Sequence, residues 1–227
     1  MTQNEVGAGL ALDGVAGVRN FRDAGGVGSL RHGVLYRSGA LHELLPEGAQ
    51  SLRRLGVRTV VDLRSVPEAA DRPDIRPGEG VEHVHAPVFI EQRWPNDQDE
   101  LYPLMAEYAG RSVVVVARRL LATDGAPVLV HCASGKDRTG VVVAVLQSLL
   151  GGSEAEITAD FLRSNTELGL TASVAASATA HGTRPVAAGH LLGAIGWIRS
   201  HHGSISAYLL AHGATESELA ALRALLS

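Results

Sequence analysis

Short apolar segments rich in β-branched residues alternate along this chain with longer segments of helical periodicity. The predicted strands are GVLYRS (33–38), VRTVVDLR (57–64), VEHVHAPV (81–88) and APVLVHC (126–132). Such segments are typical of strands that are covered on both faces of a sheet. The alternation therefore predicts an α/β fold, with a central, largely parallel sheet flanked by helices.

The helical segments begin and end at recognisable signals. The predicted helices are Pro46–Leu55, Asp99–Thr123 and Thr139–Leu150, and a glycine follows each of them closely. Glycine after the last periodic residue is a common stop signal for a helix. On the second helix, the predicted apolar face consists of Leu101, Leu104, Met105 and Tyr108. The third helix is apolar throughout, which indicates a buried central element.

Two further helix starts are predicted from capping boxes. Ser153 precedes Glu156 by three residues, and Thr215 precedes Glu218 with the same spacing. In this pattern the hydroxyl and the carboxylate accept hydrogen bonds from otherwise unpaired amides at the start of a helix. We expect helices to begin after Ser153 and after Thr215.

The size of the chain suits one domain. It has 227 residues, of which 45% are hydrophobic, enough for one well-buried core and little for a second. We expect a single domain over residues 1–227. The segment 168–204 is rich in small residues and has few large apolar ones before Leu191, so it is interpreted as either a mobile lid or a long surface connection.

Charge and hydropathy argue against several classes of function. A formal net charge of −4 argues against binding along a nucleic-acid backbone. No apolar stretch reaches the roughly 20 residues that a membrane span needs. The start of the chain, MTQNEVGAGL, has no basic residue and no apolar block like that of a signal peptide. The expected location is the cytoplasm, with secretion without a signal peptide left open.

The segment PVLVHCASGKDRTGVVVAVL (127–146) carries the chemistry. A predicted strand ends at Cys132, a short loop follows, and an apolar helix begins near Arg138. Loop amides that converge at the positive end of a helix form a binding site for phosphate or sulfate. Gly135 lets such a loop turn without a Cβ penalty. A nucleotide-binding P-loop is excluded, because Cys132 and Asp137 break its pattern.

Cys132 is the only cysteine in the chain, so no intramolecular disulfide can form. The positive electrostatic field of the loop amides and the helix end, which binds an anion, also stabilises a thiolate. Cys132 is therefore a candidate nucleophile. Arg138 can hold two oxygens of a phosphoryl group with its planar guanidinium. The hydroxyl of Thr139 is a candidate donor to the sulfur, which would ease departure of the thiolate.

The sequence HCASGKDRTG (131–140) resembles the signature of cysteine-dependent protein tyrosine and dual-specificity phosphatases. The resemblance is to an atypical bacterial group written His-Cys-x-x-Gly-Lys-Asp-Arg, which includes a secreted mycobacterial tyrosine/lipid phosphatase. It extends in matching order over nearly the whole chain. The other similar segments are NFRDAGG (20–26), YRSGAL (36–41), VVDLRS (60–65), ADFLRSN (159–165) and AYLLAHGATESELAALRALL (207–226). The segment 168–204 departs from it, being shorter and less apolar than the paired-helix lid of the mycobacterial member.

The resemblance implies a tyrosine phosphatase-like fold and hydrolysis of a phosphate monoester through a cysteinyl-phosphate intermediate, without a metal or other cofactor. Cys132 is implied to attack phosphorus, while Arg138 and the loop amides hold the equatorial oxygens. Asp137 is implied to be the general acid. The implied substrate-binding residues are Ala133, Ser134, Gly135, Lys136 and Thr139. Phosphotyrosine is the expected substrate, with phosphoserine, phosphothreonine and phosphoinositides as further candidates.

Two other aspartates compete for the role of general acid. Many tyrosine phosphatases carry the acid on a Trp-Pro-Asp loop before the cysteine, and Trp94-Pro95-Asn96-Asp97 contains one residue too many. The alternative interpretation of Asp97 is a solvated turn before a helix. Asp62 lies near the end of a strand, where open α/β sheets bind ligands. Its alternative role is an ion pair with Arg64.

Several basic side chains also have two interpretations. Lys136 either contacts a second phosphate on an inositol ring or pairs with a carboxylate such as Asp62. Arg22, with Asp23, either touches the phosphate loop or forms a salt bridge that braces it. His83 and His85 would share one strand face, but the sequence identifies no third metal ligand.

Two functions other than phosphate ester hydrolysis are compatible with a loop of this kind. A non-catalytic phosphate-binding or thiol redox-sensing module would use the same accessible thiolate. The sequence offers no second cysteine to resolve a sulfenic acid as a disulfide, which weakens the sensor interpretation. Sulfur or arsenate chemistry on a similar loop is a further alternative, but such sites usually lack this Lys-Asp-Arg sequence.

Overall fold

A computed structural model describes residues 14–91, 93–122, 127–170 and 183–226. The strands are β1 (Arg22–Asp23), β2 (Leu35–Ser38), β3 (Thr59–Asp62), β4 (Glu82–His85) and β5 (Val128–His131). The first helices are α1 (Pro46–Arg54), α2 (Val66–Asp71), α3 (Gln98–Ala122) and α4 (Asp137–Leu149). They are followed by α5 (Glu154–Glu167), α6 (Ala188–His202), α7 (Ile205–Ala211) and α8 (Glu216–Leu226). Among the described residues, no helix combines the length and the apolar character that crossing a membrane requires.

The described strands form one sheet in the order β1-β2-β5-β3-β4. Strands β2, β5, β3 and β4 are parallel, and only the edge strand β1 is antiparallel to its neighbour. The predicted α/β fold with a largely parallel sheet is therefore confirmed. Because β5 lies between β2 and β3, its carboxyl end opens at the centre of the sheet edge, where α/β sheets bind ligands.

Helices cover both faces of the sheet. Helix α1 packs on one face, where Leu52 joins Val60, Leu129 and other buried residues. On the opposite face, α3 contacts α4, α6, α7 and α8, and Val128 and Val130 of β5 face this larger core. The buried helix α4, predicted from its apolar composition, lies in this second layer. Both capping boxes are present, at Ser153 and at Thr215.

Helix α3 buries Leu101 and Met105, as predicted, but the prediction for its tyrosines was wrong. Tyr102 is fully buried, whereas Tyr108 is 53% exposed, so the inclusion of Tyr108 in the apolar face was wrong. The hydroxyl of a buried tyrosine needs a hydrogen-bond partner. Tyr102 finds one in the Asp137 carboxylate, which permits its burial. The phenol of Tyr108 stays at the surface, beside Phe89.

The segment 168–204 is described only in part. Its residues 188–202 form α6, whose side chains Leu191, Ile195 and Ile198 are buried against the larger core. The residues before α6 are tied to α5, because Asn165 exchanges two hydrogen bonds with the backbone of Val186. Residues 171–182 lie outside the described part of the chain, and the lid stays a prediction.

Candidate active site

The loop between β5 and α4 turns sharply at Gly135. This residue has a φ of +68°, and a Cβ atom there would lie 2.1 Å from the carbonyl oxygen of Ser38 on β2. Both its conformation and its close approach to the neighbouring strand therefore require glycine. Cys132, at the start of the loop, is 1% exposed, and α4 begins directly after Lys136. The structure thus brings the thiol to the amino-terminal end of an apolar helix, as predicted.

Side chains from other parts of the chain donate hydrogen bonds to the carbonyl groups of this loop. The side-chain amide of Asn20 donates to the carbonyl oxygens of Ser134 and Gly135, at 3.1 and 2.9 Å. Arg37 donates to the Gly135 carbonyl as well, at 3.0 Å. In a trans peptide the N–H points away from the C=O, so these bonds turn the amides of the following residues to the other side of the loop. That orientation suits an anion-binding loop.

A buried ion triad lies beneath the loop. Asp160 of α5 accepts from Arg22 at 3.0 Å and from Arg37 at 2.7 Å. Burial alone would raise the pKa of the Asp160 carboxyl, but the two guanidinium charges outweigh it and hold the pKa below its ordinary value. Arg22 also donates to the side-chain oxygen of Asn20. Arg22 therefore braces the loop through Asn20 and forms its salt bridge with Asp160, whereas Asp23 pairs with His32 instead.

Arg138 is held by a carboxylate from α2. Its two terminal nitrogens donate to the two oxygens of Glu68, at 2.5 and 2.8 Å. Its guanidinium also lies over the ring of Trp94, 5.1 Å from the ring centre. The Arg138 side chain is 8% exposed, and Glu68 and Trp94 fix it from two sides at the mouth of the loop.

Electrostatics favour the ionised forms of this pair. Burial alone would raise the pKa of the Glu68 carboxyl, but hydrogen bonds from Arg138 and its charge hold the pKa below the ordinary value. Burial alone would lower the pKa of Arg138, but the bond to Glu68 and the nearby Cys132 and Asp137 raise it. Arg138 therefore keeps its positive charge at neutral pH.

Asp137 contacts groups from two directions. The hydroxyl of Tyr102 donates to its Oδ1 at 2.7 Å, and Lys136 Nζ lies 3.7 Å from its Oδ2. Lys136 is fully buried and also donates to the carbonyl of Arg184. The structure therefore places the lysine charge beside Asp137, not beside Asp62.

The two rival aspartates are occupied elsewhere. Asp97 is exposed, and its side chain accepts from the amide of Asp99 in the turn before α3. Asp62 accepts from the side chain of Arg64 through both oxygens. These contacts match the second interpretation of each residue, a solvated turn for Asp97 and an ion pair with Arg64 for Asp62.

Asp62, Asp74 and His131 form a group whose ligand atoms lie within 4.8 Å of one another. The guanidinium of Arg64 already lies 2.7 Å from Asp62 and 3.0 Å from Asp74. The positive charge of the Arg64 guanidinium thus balances these two carboxylates. His85 is not part of this group and pairs with the carbonyl of Arg64.

The exposure of the remaining loop residues varies. Ala133 is exposed, Ser134 is 9% exposed and Thr139 is fully buried. In the described part of the chain, the Thr139 hydroxyl makes no hydrogen bond, so the predicted bond to the sulfur is not formed in this structure.

The sequence did not indicate Glu68 or Tyr102, which contact Arg138 and Asp137. Glu68 follows Ser65 by three residues, which is the capping-box pattern used above for two other helices, and the structure shows that box at the start of α2. The signal for α2 was therefore present, but nothing in the pattern indicates Arg138 as the partner. Tyr102 gave no signal beyond its place in a helix.

The chain is similar over most of its length to known sequences. The sequence model of the tyrosine phosphatase family matches residues 14–227. The triple specificity protein phosphatase PtpB of Mycobacterium tuberculosis is 32% identical over 195 residues, 69% of this chain and 70% of that protein. A tyrosine-protein phosphatase of Nostoc commune is 26% identical over 240 residues, 95% of this chain and 81% of that protein.

Among solved structures, TpbA of P. aeruginosa is similar over 82% of this chain and 91% of that chain, with a TM-score of 0.45 and 19% identity. The family match and the mycobacterial relative confirm the resemblance found in the sequence. On these grounds the chain belongs to the tyrosine phosphatase family.

Proposed function

We propose that this protein hydrolyses phosphate monoesters, with Cys132 as the nucleophile and phosphotyrosine as the main substrate. The observation that carries the proposal is the combination of Cys132 at the start of the loop between β5 and α4 with Arg138 held at the mouth of that loop by Glu68. Membership of the tyrosine phosphatase family supports it.

In the first step, the Cys132 thiolate attacks phosphorus. An Sγ–P bond forms as the P–O bond to the leaving group breaks, and Asp137 gives its proton to the leaving oxygen. The planar fork of Arg138 and the loop amides bind the three equatorial oxygens, on which charge accumulates in the transition state.

In the second step, water replaces the thiolate. Asp137, now ionised, accepts a proton from the attacking water, the Sγ–P bond breaks, and phosphate leaves the loop. One carboxyl group thus serves as acid and then as base. Asp137 is favoured because it begins α4 directly after the loop, whereas Asp62 is bonded by the Arg64 guanidinium and Asp97 is exposed in the turn before α3.

The surroundings of Lys136 bear on the choice of substrate. Its ammonium is buried between the Arg184 carbonyl and the Asp137 carboxylate. It therefore acts within the loop rather than as an extended charge for a second phosphate. The relative PtpB is named a triple specificity phosphatase, which supports including phosphoserine, phosphothreonine and phosphoinositide substrates in the assay beside phosphotyrosine.

The test is steady-state hydrolysis of p-nitrophenyl phosphate and of a phosphotyrosine peptide, each with and without EDTA. We expect turnover of both, unchanged by EDTA. A folded protein that binds inorganic phosphate but releases no product would contradict the proposal and favour a phosphate-binding module. Loss of turnover in EDTA would contradict the mechanism.

A further inference from the structure

The hydroxyl of Tyr102 reaches the loop from α3. It lies 2.7 Å from Asp137 Oδ1, and the tyrosine side chain is fully buried. Burial and the nearby Asp137 charge raise the pKa of Tyr102 well above its ordinary value. The phenol therefore keeps its proton at neutral pH and donates it in the bond to the carboxylate.

The ring of Tyr102 is fixed by two other helices. Phe161 of α5 contacts it edge-on, with ring centres 6.0 Å apart. His190 of α6 stacks on it, with ring centres 5.2 Å apart. A hydroxyl on a ring packed in this way has little freedom to move, so the position of its hydrogen-bond partner is fixed as well.

Among the described residues, the other contact of the Asp137 carboxylate is on its second oxygen. Lys136 Nζ lies 3.7 Å from Oδ2, beyond the distance of a direct hydrogen bond. The bond from Tyr102 therefore occupies Oδ1 and leaves Oδ2 as the oxygen that can exchange a proton. A general acid must be held within hydrogen-bond reach of the atom that it protonates.

We propose that Tyr102 is a positioning residue for Asp137, holding the carboxyl group so that Oδ2 faces the leaving oxygen. This inference rests on the proposed function. Tyr102 acts through Asp137 and does not contact the substrate. Its effect should appear in steps that need proton transfer, and should be small where the leaving group departs without a proton.

The variant Tyr102→Phe removes the hydroxyl and keeps the ring. We expect kcat for a phosphotyrosine peptide to fall about 10-fold or more, since a hydrogen bond to a charged group is lost. The fall should be several times smaller for p-nitrophenyl phosphate, whose leaving group needs little protonation. KM should change less than kcat on both substrates. Tyr102→Leu, measured in parallel, should show the same difference between substrates.

Tyr208→Phe is the matched control. Tyr208 is also fully buried, and its hydroxyl donates to the carbonyl of Ala106 on the same helix α3, away from the loop. Its removal should lower the melting temperature but leave the ratio of the two kcat values unchanged. A change of that ratio in Tyr102→Phe alone separates positioning from a general loss of stability.

A double-variant cycle tests the route of the effect. In the Asp137→Asn background, Tyr102→Phe should produce no further loss on the phosphotyrosine peptide, because the two residues act as a unit. Three results would overturn the positioning role: Tyr102→Phe loses equal activity on both substrates, Tyr102→Phe keeps the kcat of the wild type, or its loss adds fully to that of Asp137→Asn. In each case, turnover by the wild-type protein would still uphold the proposed function. A wild-type protein without turnover would overturn the proposed function itself.

Discussion

Arg138 and Glu68 form a two-pronged ion pair across the mouth of the phosphate loop, with N–O distances of 2.5 and 2.8 Å. Glu68 is available because β3 lies beside β5, and α2 begins directly after β3. The guanidinium is thus oriented before any substrate arrives. A preorganised charge of this kind stabilises a transition state without reorganisation at the moment of reaction.

Replacing Glu68 tests this orientation. Glu68→Gln keeps the size of the side chain but leaves Arg138 without its ionic partner. We expect kcat/KM for p-nitrophenyl phosphate to fall about 10-fold to 100-fold, the effect of losing a charged hydrogen-bond pair. Glu156→Gln is the control, since Glu156 fills the same position in the capping box at Ser153. Equal activity of the two variants would show that Glu68 does not orient Arg138.

Replacing Arg138 tests the need for a planar fork. Arg138→Lys keeps the positive charge, but an ammonium group cannot bind two phosphoryl oxygens side by side. We expect kcat to fall about 10²-fold to 10³-fold, as when a donor to the transition state is lost. Near-normal kcat, measured under substrate saturation, would remove Arg138 from the assigned role.

The assignment of the acid is tested with two aspartates. Asp137→Asn should lower kcat about 10²-fold to 10⁴-fold for a phosphotyrosine peptide, and less for p-nitrophenyl phosphate. Asp97→Asn should change neither rate, because Asp97 is exposed and its side chain accepts a hydrogen bond from the Asp99 amide in the turn before α3. The reverse pattern would transfer the role of acid to Asp97.

The parts of the site that sequence could predict are local in the chain. Strand β5, the turn at Gly135 and helix α4 are contiguous, so their composition and order indicate the loop directly. Contacts between segments that are distant in the chain could not be predicted from the sequence. Arg138 and Glu68 are 70 residues apart, and their meeting depends on the order of strands in the sheet.

The contact between Tyr102 and Asp137 spans 35 residues and depends on how α3 packs against α4. Helical periodicity indicates the buried face of α3 only approximately. It predicts a buried Tyr108, which is exposed in the structure, and it does not single out Tyr102, which is buried. The partner of a buried polar group is a property of packing. It therefore becomes visible only in the three-dimensional structure.

Stability at low pH should depend on the triad beneath the loop. The folded protein holds the pKa of Asp160 below its ordinary value, so this group stabilises the fold above about pH 4 and loses that effect as the pH falls further. Urea unfolding from about pH 5 down to about pH 2 should show this decline in the wild type.

Asp160→Asn should have two effects on the same measurement. It leaves Arg22 and Arg37 buried without a carboxylate, which costs about 3–5 kcal/mol of unfolding free energy at neutral pH. It also removes one titrating group, so the unfolding free energy should fall less steeply with decreasing pH than in the wild type. Identical slopes for both proteins would show that Asp160 does not titrate in this range.

The covalent intermediate on Cys132 is the central claim. Asp137→Asn, mixed with p-nitrophenyl phosphate and quenched within one turnover, should carry one phosphoryl group on the peptide that contains Cys132, since the missing base slows the attack of water. Mass spectrometry of the quenched protein measures it. Cys132→Ser, which keeps the loop, should bind inorganic phosphate but show neither the added group nor turnover. Turnover by Cys132→Ser, or a turning-over Asp137→Asn enzyme that never carries phosphate on Cys132, would contradict the account.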